Sequence, residues 1–206
     1  MFALVDKSDN SITRMLSGNK GITIGDNQYP RAIFSLWSES ERNAINIYTI
    51  TIDESKRKNE EWYINTNITY AFDGTNATGS YGDATAKAHA DTTWTQQQID
   101  DGDAPDGADT DTVATEGLKT KLIRTVKAQA ESELNRTDWY ITRKAEKNTA
   151  IPSAITTHRD AVRTKQDSMC TAITNASDTP ALETLYTYTR QEDGSVTRPL
   201  GELPTL

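Results

Sequence analysis

The sequence predicts an α+β protein with an N-terminal small antiparallel β domain, an acidic linker and a C-terminal antiparallel α-helical hairpin with a short third helix. From Trp62 to Phe72, residues that favour strands fall at every second position, which is the period of a β-strand. From Leu118 to Leu134, apolar residues return at every fourth position, as on one face of a helix. Residues 96–112 lie between these patterns and have no apolar period. The predicted divisions are 1–95 for the antiparallel β module, 96–112 for the flexible acidic linker, 113–188 for the α-helical hairpin domain and 189–206 for an extended tail.

Composition and charge narrow the class of protein. Hydrophobic residues make up 35% of the 206 positions and the mean hydropathy is -0.69, so two domains with modest cores are expected. The net charge is -8, and residues 96–112 contain six aspartates with no lysine or arginine. No broad basic face is visible, which argues against nucleic acid as a partner. No apolar run approaches the length of a membrane span and the N-terminus lacks a signal-peptide pattern, so a soluble protein is expected.

The N-terminal half reads as short strands separated by turns. Residues 1–52 alternate brief apolar runs with turn residues, and the whole of 1 to about 90 is expected to form an antiparallel β meander. Within it, Ser38 precedes acidic residues and is a typical helix N-cap. The charged segment 53–61 is interpreted as a hairpin loop that leads into one continuous strand over 62–72. Trp37 and Trp62 are the expected core anchors.

The C-terminal half reads as helices. An amphipathic helix of about twenty residues is expected from Thr115 onward. A second helix follows Pro152, and the two should pack antiparallel. Its expected core positions recur every seven residues: Ile155, Val162, Met169 and Ala176. A third, short helix is predicted with Thr179 as N-cap and Pro180 at its first position.

Motifs for catalysis, metals or phosphate are not found in the sequence. His89 and His158 fall in different predicted domains, and His158 lies beside apolar helix positions, which favours a partly buried structural histidine. Cys170 is the only cysteine, which excludes an intrachain disulfide and a thiolate zinc site. A calcium loop starting at Asp101 fails because Pro105 occupies its fifth position and the required glycine and final glutamate are missing. The sequence therefore predicts no enzyme, no cofactor and no metal.

One stretch, Leu134 to Arg163, combines aromatic and cationic residues in a pattern suited to a protein interface. Trp, Tyr and Arg concentrate binding energy in such interfaces. We interpret Trp139 as closing the end of the helical hairpin and Tyr140 as facing a partner, with arginines at the rim; the arginines equally fit a solvated face. The candidate partner-binding residues are Trp139, Tyr140, Arg143, Arg159 and Arg163.

The same stretch resembles tail assembly and tail-fibre-associated proteins of tailed bacteriophages. The residues that carry the resemblance are Thr137-Asp138-Trp139-Tyr140, Arg143, Glu146, Ile151-Pro152, Arg159 and Ala161-Val162-Arg163. The resemblance covers roughly residues 115–188. The segment GITIGDNQYPRAIFSLWSESERNAINIY is similar to small β modules that precede this hairpin in phage tail proteins, notably from phages of marine cyanobacteria.

The resemblance implies a non-enzymatic role in protein–protein contact during or after tail assembly. On the first interpretation, the chain is made in the host cytoplasm and resides in the virion tail, where its β module and hairpin join fibre, baseplate or tail-tube subunits in an oligomeric assembly. The alternative is a transient tail or tail-fibre assembly chaperone that acts in the host cytoplasm. A glycan hydrolase, the third possibility, would require a carboxylate pair in a cleft.

Overall fold

The computed structural model describes residues 1–206 as an α+β protein with two compact units, Met1–Thr85 and Ala86–Leu206. The predicted fold class is confirmed at this level. The division between the units differs from the predicted one, because it falls at Thr85/Ala86 and the acidic segment 96–112 lies inside the second unit. No helix of the chain is sufficiently long and apolar to cross a membrane.

The first unit is built from short strands and two short helices. Its strands are β1 (Phe2–Asp6), β2 (Ser11–Leu16), β3 (Ile22–Ile24), β4 (Asn27–Tyr29), β5 (Ile47–Asp53), β6 (Tyr63–Ile64), β7 (Thr69–Phe72) and β8 (Ala77–Ser80), with β9 (Thr85–Ala86) at the boundary. Its helices are α1 (Ile33–Leu36) and α2 (Glu39–Ala44). Ser38 caps α2 as predicted: its hydroxyl accepts a hydrogen bond from the Glu41 amide, and the Glu41 carboxylate accepts one from the Ser38 amide at 2.7 Å.

The main sheet has the order β2-β1-β5-β8-β7, and it is not the predicted meander. Strand β5 pairs in parallel with β8, with Ile50 opposite Ala77, while its other edge pairs antiparallel with β1. The segment 53–61 therefore belongs to a crossover and is not a hairpin loop, because parallel strands require such a connection. Strand β8, the parallel partner of β5, lies far from β5 in the sequence. The alternation of residue types within β5 does not show which distant strand pairs with it.

The predicted continuous strand over 62–72 is also wrong, since it is interrupted between β6 and β7. The Asn65 side chain takes the role of a strand partner, accepting from the Lys58 amide at 2.9 Å and donating to the Lys58 carbonyl at 2.8 Å. This local pairing competes with a regular ladder. Trp62 is nevertheless only 2% exposed, as expected of a core anchor, whereas Trp37 is half-buried with its ring 6.0 Å from that of Tyr29.

Strand β1 separates two apolar clusters, because alternate side chains of a strand point to opposite faces. Ala3 and Val5 belong to one cluster, and Phe2 and Leu4 pack against the other. The buried residues of the first cluster are Ala3, Val5, Tyr48, Ile50, Phe72 and Ala77. The buried residues of the second cluster are Ile22, Ile33 and Ile47.

The second unit is mainly helical. Its elements are β10 (Thr92–Thr93), α3 (Gln96–Asp100), β11 (Val113–Thr115), α4 (Leu118–Asn135), α5 (Asp138–Lys147), α6 (Ser153–Asn175), α7 (Thr179–Tyr186), β12 (Thr189–Arg190) and β13 (Val196–Thr197). The segment predicted as a flexible linker contains α3, which begins at a capping box of Thr95 and Gln98. Antiparallel pairing of β10 with β11 closes this segment into a loop.

Helices α4 and α6 pack antiparallel, as predicted. Near one end the Lys119 ammonium donates to the Thr174 carbonyl at 2.8 Å, and near the other end Arg159 donates to the Leu134 carbonyl at 2.7 Å. All four residues of the predicted sevenfold pattern are buried, which confirms them as core positions. The buried apolar residues of this pair are Leu118, Val126, Ala130, Ile155, Val162, Met169 and Ile173.

The N-terminus of α4 is capped from a distant part of the chain. The Asp91 carboxylate accepts from the Gly117 amide at 2.7 Å and from the Thr120 hydroxyl at 2.9 Å. The first two amides of the helix donate to the carbonyls of Ala88 and His89. These contacts satisfy donors that an α-helix leaves unpaired at its start, so the residues around β10 hold α4 in place.

The C-terminal residues fold back onto the helices and do not form the predicted extended tail. Strands β12 and β13 pair as a hairpin, and Leu200, only 2% exposed, donates its amide hydrogen to the Leu185 carbonyl. Helix α7 is capped by Asp178, one residue before the predicted cap Thr179. Thr179 is instead buried, and its hydroxyl donates to the Lys87 carbonyl at 2.6 Å.

Candidate protein-binding surface

Helix α5 buries none of its ten residues. Isolated helices shorter than about 12 to 15 residues are marginal in water, and most helices in proteins are stabilised by packing of an apolar face. The helix ends at Asn148, which has φ 51° in the left-handed region that asparagine tolerates. An exposed helix of this length is suited to completing its packing against another molecule.

The start of α5 is held by one buried arginine. Arg159, only 8% exposed, donates from a single guanidinium nitrogen to the Leu134 carbonyl at 2.7 Å, the Thr137 hydroxyl at 2.7 Å and the Asp138 carboxylate at 2.8 Å. Thr137 is 1% exposed and its hydroxyl donates in turn to the Leu134 carbonyl at 2.9 Å. We call these contacts the Arg159 clasp. The clasp joins the end of α4, the start of α5 and the first turns of α6.

This position contradicts the predicted place of Arg159 at the rim of a binding patch. A charged side chain is buried only when its donors are paired, and the turn between α4 and α5 supplies three oxygens for that purpose. Arg159 therefore orients α5 from beneath and is not available to a partner. The sequence signal was the run Thr137-Asp138, whose hydroxyl and carboxylate could have been recognised as acceptors for a buried cation.

Three side chains at the surface of α5 form one stacked cluster, which we call the α5 cluster: Trp139, Tyr140 and Arg143. The ring centroids of Trp139 and Tyr140 are 3.7 Å apart with an angle of 31° between the ring planes. The Arg143 guanidinium carbon lies 4.7 Å from the Trp139 ring centroid and 5.3 Å from that of Tyr140. Cation–π contacts of this kind hold an arginine in a defined orientation. The Nε atom of Arg143 is shielded from solvent and has no acceptor.

The predicted place of Trp139 in the core is wrong. Trp139 was expected in the core, but 51% of it is exposed, and Tyr140 is the more buried of the two. The reason is that α5 is a separate helix after the Arg159 clasp, so Trp139 does not close a hairpin end. Ile141, which was not a predicted site residue, is also exposed, at 44%.

Arg163 does not contact the α5 cluster. It lies one turn beyond Arg159 on α6, is exposed, and pairs with Asp160 at 3.2 Å. The structure thus brings together Trp139, Tyr140 and Arg143, places Arg159 beneath them, and leaves Arg163 in an ion pair of its own.

The exposed side of α5 carries an excess of positive charge. Arg143, Lys144 and Lys147 are in no ion pair, and Glu146 is the only carboxylate of the helix outside the Arg159 clasp. Lys144 and Lys147 lie in the last turn, where cations interact favourably with the helix dipole. The surface of α5 therefore presents an aromatic cluster beside unneutralised cations.

The remaining chemically notable residues lie apart from this surface or are shielded. His158 is half-buried, as predicted, and its Nε2 atom has no hydrogen-bond partner. Burial raises the pKa of the Cys170 thiol above its ordinary value of 9.0. No group of three or more histidine, cysteine, aspartate or glutamate residues is arranged to hold a metal ion.

Comparison with models of protein families, with curated proteins and with solved structures gives no significant match to this chain.

Proposed function

We propose that this chain is a non-enzymatic component of a bacteriophage tail that joins neighbouring tail proteins, with α5 as one of its binding surfaces. The observation that carries the proposal is the α5 cluster, in which Trp139 is 51% exposed, on a helix that buries none of its own residues. The kind of partner comes from the resemblance of residues 115–188 to phage tail proteins, which implies fibre, baseplate or tail-tube subunits.

The chemistry of the α5 cluster supports a protein partner. Tryptophan, tyrosine and arginine are the residues that most often dominate the binding energy of protein interfaces. In this chain the three are already stacked on one another, and the Arg159 clasp fixes the start of the helix that carries them. A surface ordered before contact loses less conformational entropy on binding, which favours affinity.

The first unit supplies the second attachment in this proposal. It has its own sheet and its own buried clusters, so it can hold one neighbour while the helical unit holds another. An assembly chaperone that acts only through the hairpin has no need of such a unit, which favours residence in the virion.

Capture experiments with the full chain test the binding surface. The tagged chain should retain one or more products of the tail operon, and Trp139→Ala should weaken that binding by about 1 to 3 kcal/mol, which is the usual cost of losing an interface anchor. Val196→Ala, at an exposed apolar position of β13, is the matched control and should have no effect. Equal binding by the wild type and Trp139→Ala would contradict the assigned role of α5.

Mass spectrometry of purified particles distinguishes the structural component from the transient chaperone. Near-stoichiometric peptides from residues 115–188 are expected for a resident tail protein. Their absence from particles, together with capture of tail subunits from infected cells, would instead support the chaperone.

A further inference from the structure

We infer that copies of this chain associate head to tail, with the acidic loop of one copy against the cationic surface of α5 in the next. The acidic loop is defined as residues 96–112, and the cationic surface as Arg143, Lys144 and Lys147. This inference rests on the proposed role of α5 as a binding surface and names a second copy of the chain as its occupant.

The two surfaces have opposite and unneutralised charge. The acidic loop contains six aspartates, and none of them is in an ion pair. Asp100 accepts from the Gln96 amide group, and Asp109 accepts from the Thr112 hydroxyl, so the partners of both are neutral. The cations of α5 are likewise unpaired within the chain. Complementary potentials of this kind steer association and fix which surfaces meet.

The two surfaces belong to opposite ends of one helical body. The acidic loop is closed by β10 and β11 beside the N-terminus of α4, whereas α5 follows its C-terminus. At 1.5 Å per residue, the 18 residues of α4 separate these ends by about 27 Å. That distance is about three Debye lengths at physiological salt, since one Debye length is about 8 Å. At that separation the acidic loop and the cationic surface of one molecule hardly attract each other. Each surface is therefore neutralised more effectively by the opposite surface of another molecule.

Contact between two different surfaces of the same chain has a geometrical consequence. Such an interface is heterologous, so an open assembly of any length keeps one free surface of each kind at its ends, until a ring closes. In this head-to-tail contact, the α5 cluster of one copy packs against the acidic loop of the next copy. The loop aspartates then lie against Lys144 and Lys147, beside the cluster.

Sedimentation velocity of the full chain tests the association. At about 0.05 M salt, species larger than a monomer should appear and increase with protein concentration. At about 1 M salt, where the Debye length is about 3 Å, they should be lost. A wild-type chain that stays monomeric at low salt up to its solubility limit would overturn the inference.

Two charge-reversal variants sharpen the test. The first is Lys144→Glu with Lys147→Glu, and the second replaces four of the six loop aspartates: Asp101→Lys, Asp103→Lys, Asp106→Lys and Asp111→Lys; all six positions are exposed. In the second variant four lysines outnumber the two remaining aspartates, so the loop becomes positive. Each variant alone should be monomeric, because its loop and its α5 surface carry the same sign of charge. An equimolar mixture should associate, because each variant then meets its complement on the other. A mixture that stays monomeric, or either variant that self-associates like the wild type, would overturn the inference.

Lys20→Glu with Lys121→Glu is the matched control, because it reverses two exposed lysines outside both surfaces and should preserve association. Circular dichroism checks that each variant is folded, and the loop variant tests the inference even if the α5 variant unfolds. A wild-type chain that captures tail proteins but does not self-associate would refute the head-to-tail contact alone. Intact self-association with no captured tail protein would refute the proposed function alone.

Discussion

At the scale of single residues, Arg159 shows how a buried charge determines the placement of a surface. One nitrogen of its guanidinium reaches a main-chain carbonyl, a hydroxyl and a carboxylate from the turn between α4 and α5. Hydrogen bonds to charged groups are stronger than neutral ones, and their loss leaves buried acceptors unpaired. The orientation of α5 thus depends on a residue that is itself almost entirely buried.

Replacement of Arg159 should therefore affect stability first. Arg159→Ala is expected to lower the free energy of unfolding by about 2 to 4 kcal/mol, because the buried Thr137 hydroxyl loses its donor and the Asp138 carboxylate loses its ion-pair partner. Urea denaturation of the full chain, followed by circular dichroism, measures this change. Arg163→Ala removes an exposed ion pair and should change stability by less than about 0.5 kcal/mol. Similar losses for both variants would contradict the clasp.

The capping box of α2 predicts a dependence on pH. Hydrogen bonds from the Ser38 side chain and amide lower the pKa of Glu41 from its ordinary value of 4.5. Because the folded-state pKa is depressed, the stabilisation is present above pH 4.5 and is lost as the pH falls through the lowered value. An NMR titration should show Glu41 titrating below 4.5 in the wild type and closer to 4.5 in Ser38→Ala. An unchanged pKa in that variant would show that the box is not formed in solution.

Single residues also show why part of the candidate site could not be predicted from the sequence. Trp139 and Arg143 were recognised from residue type and spacing, and the structure does place them together. Which aromatic is exposed depends on the direction in which α5 leaves α4, and the Arg159 clasp sets that direction. The clasp joins residues more than twenty positions apart, so it has no signature in local periodicity.

At the scale of elements, α5 is expected to be much less protected than α4 and α6. Amide hydrogens exchange through local opening, and a helix without buried residues opens at little cost. Hydrogen–deuterium exchange of the free chain should label residues 138–147 well before the central turns of α4 and α6. Binding of the partner, or self-association, should slow exchange in α5 selectively. Equal protection of α5 and α6 in the free chain would contradict this assignment.

The core face of a helix could be predicted from the sequence more accurately than the extent of a strand. The core face of α6 was predictable, because Val162, Met169 and its other buried positions follow one local period. The strand expected over 62–72 also has a local period, but the Asn65 side chain pairs with the backbone of Lys58 and interrupts it. Side-chain competition for backbone groups is a tertiary event that alternation of residue types does not reveal.

At the scale of the whole molecule, the two compact units should fold separately. The first unit contains both clusters of its sheet, and the second contains the buried face between α4 and α6. Fragments 1–85 and 86–206 are each expected to give a cooperative thermal transition, because each buries a core of its own. A fragment starting at residue 113, the predicted start of the helical domain, lacks Asp91 and should be less stable than 86–206. Equal stability of these two C-terminal fragments would contradict the role of Asp91.

The overall class of fold could be predicted from periodicity, but the connections between elements could not. The parallel pairing of β5 with β8 depends on residues that lie more than twenty positions apart. The acidic segment was predicted as a linker because its composition is that of a solvated chain. Its confinement to a loop follows from pairing of Thr92 and Thr93 with strand β11, and these threonines carry no strong apolar pattern.

Because Asp91 caps α4 from a distant part of the chain, the segment between them can vary in length and sequence. The cap and the β10–β11 pairing set the start of the helix, and residues 101–111, between α3 and β11, belong to no helix or strand. The entropy of closing a flexible loop grows slowly, by about 0.6 kcal/mol for each doubling of its length. Insertions, deletions or a foreign peptide between residues 101 and 111 should therefore leave the helical unit intact. This loop is a natural position for diversification or for a displayed epitope, where affinity can change while the scaffold does not.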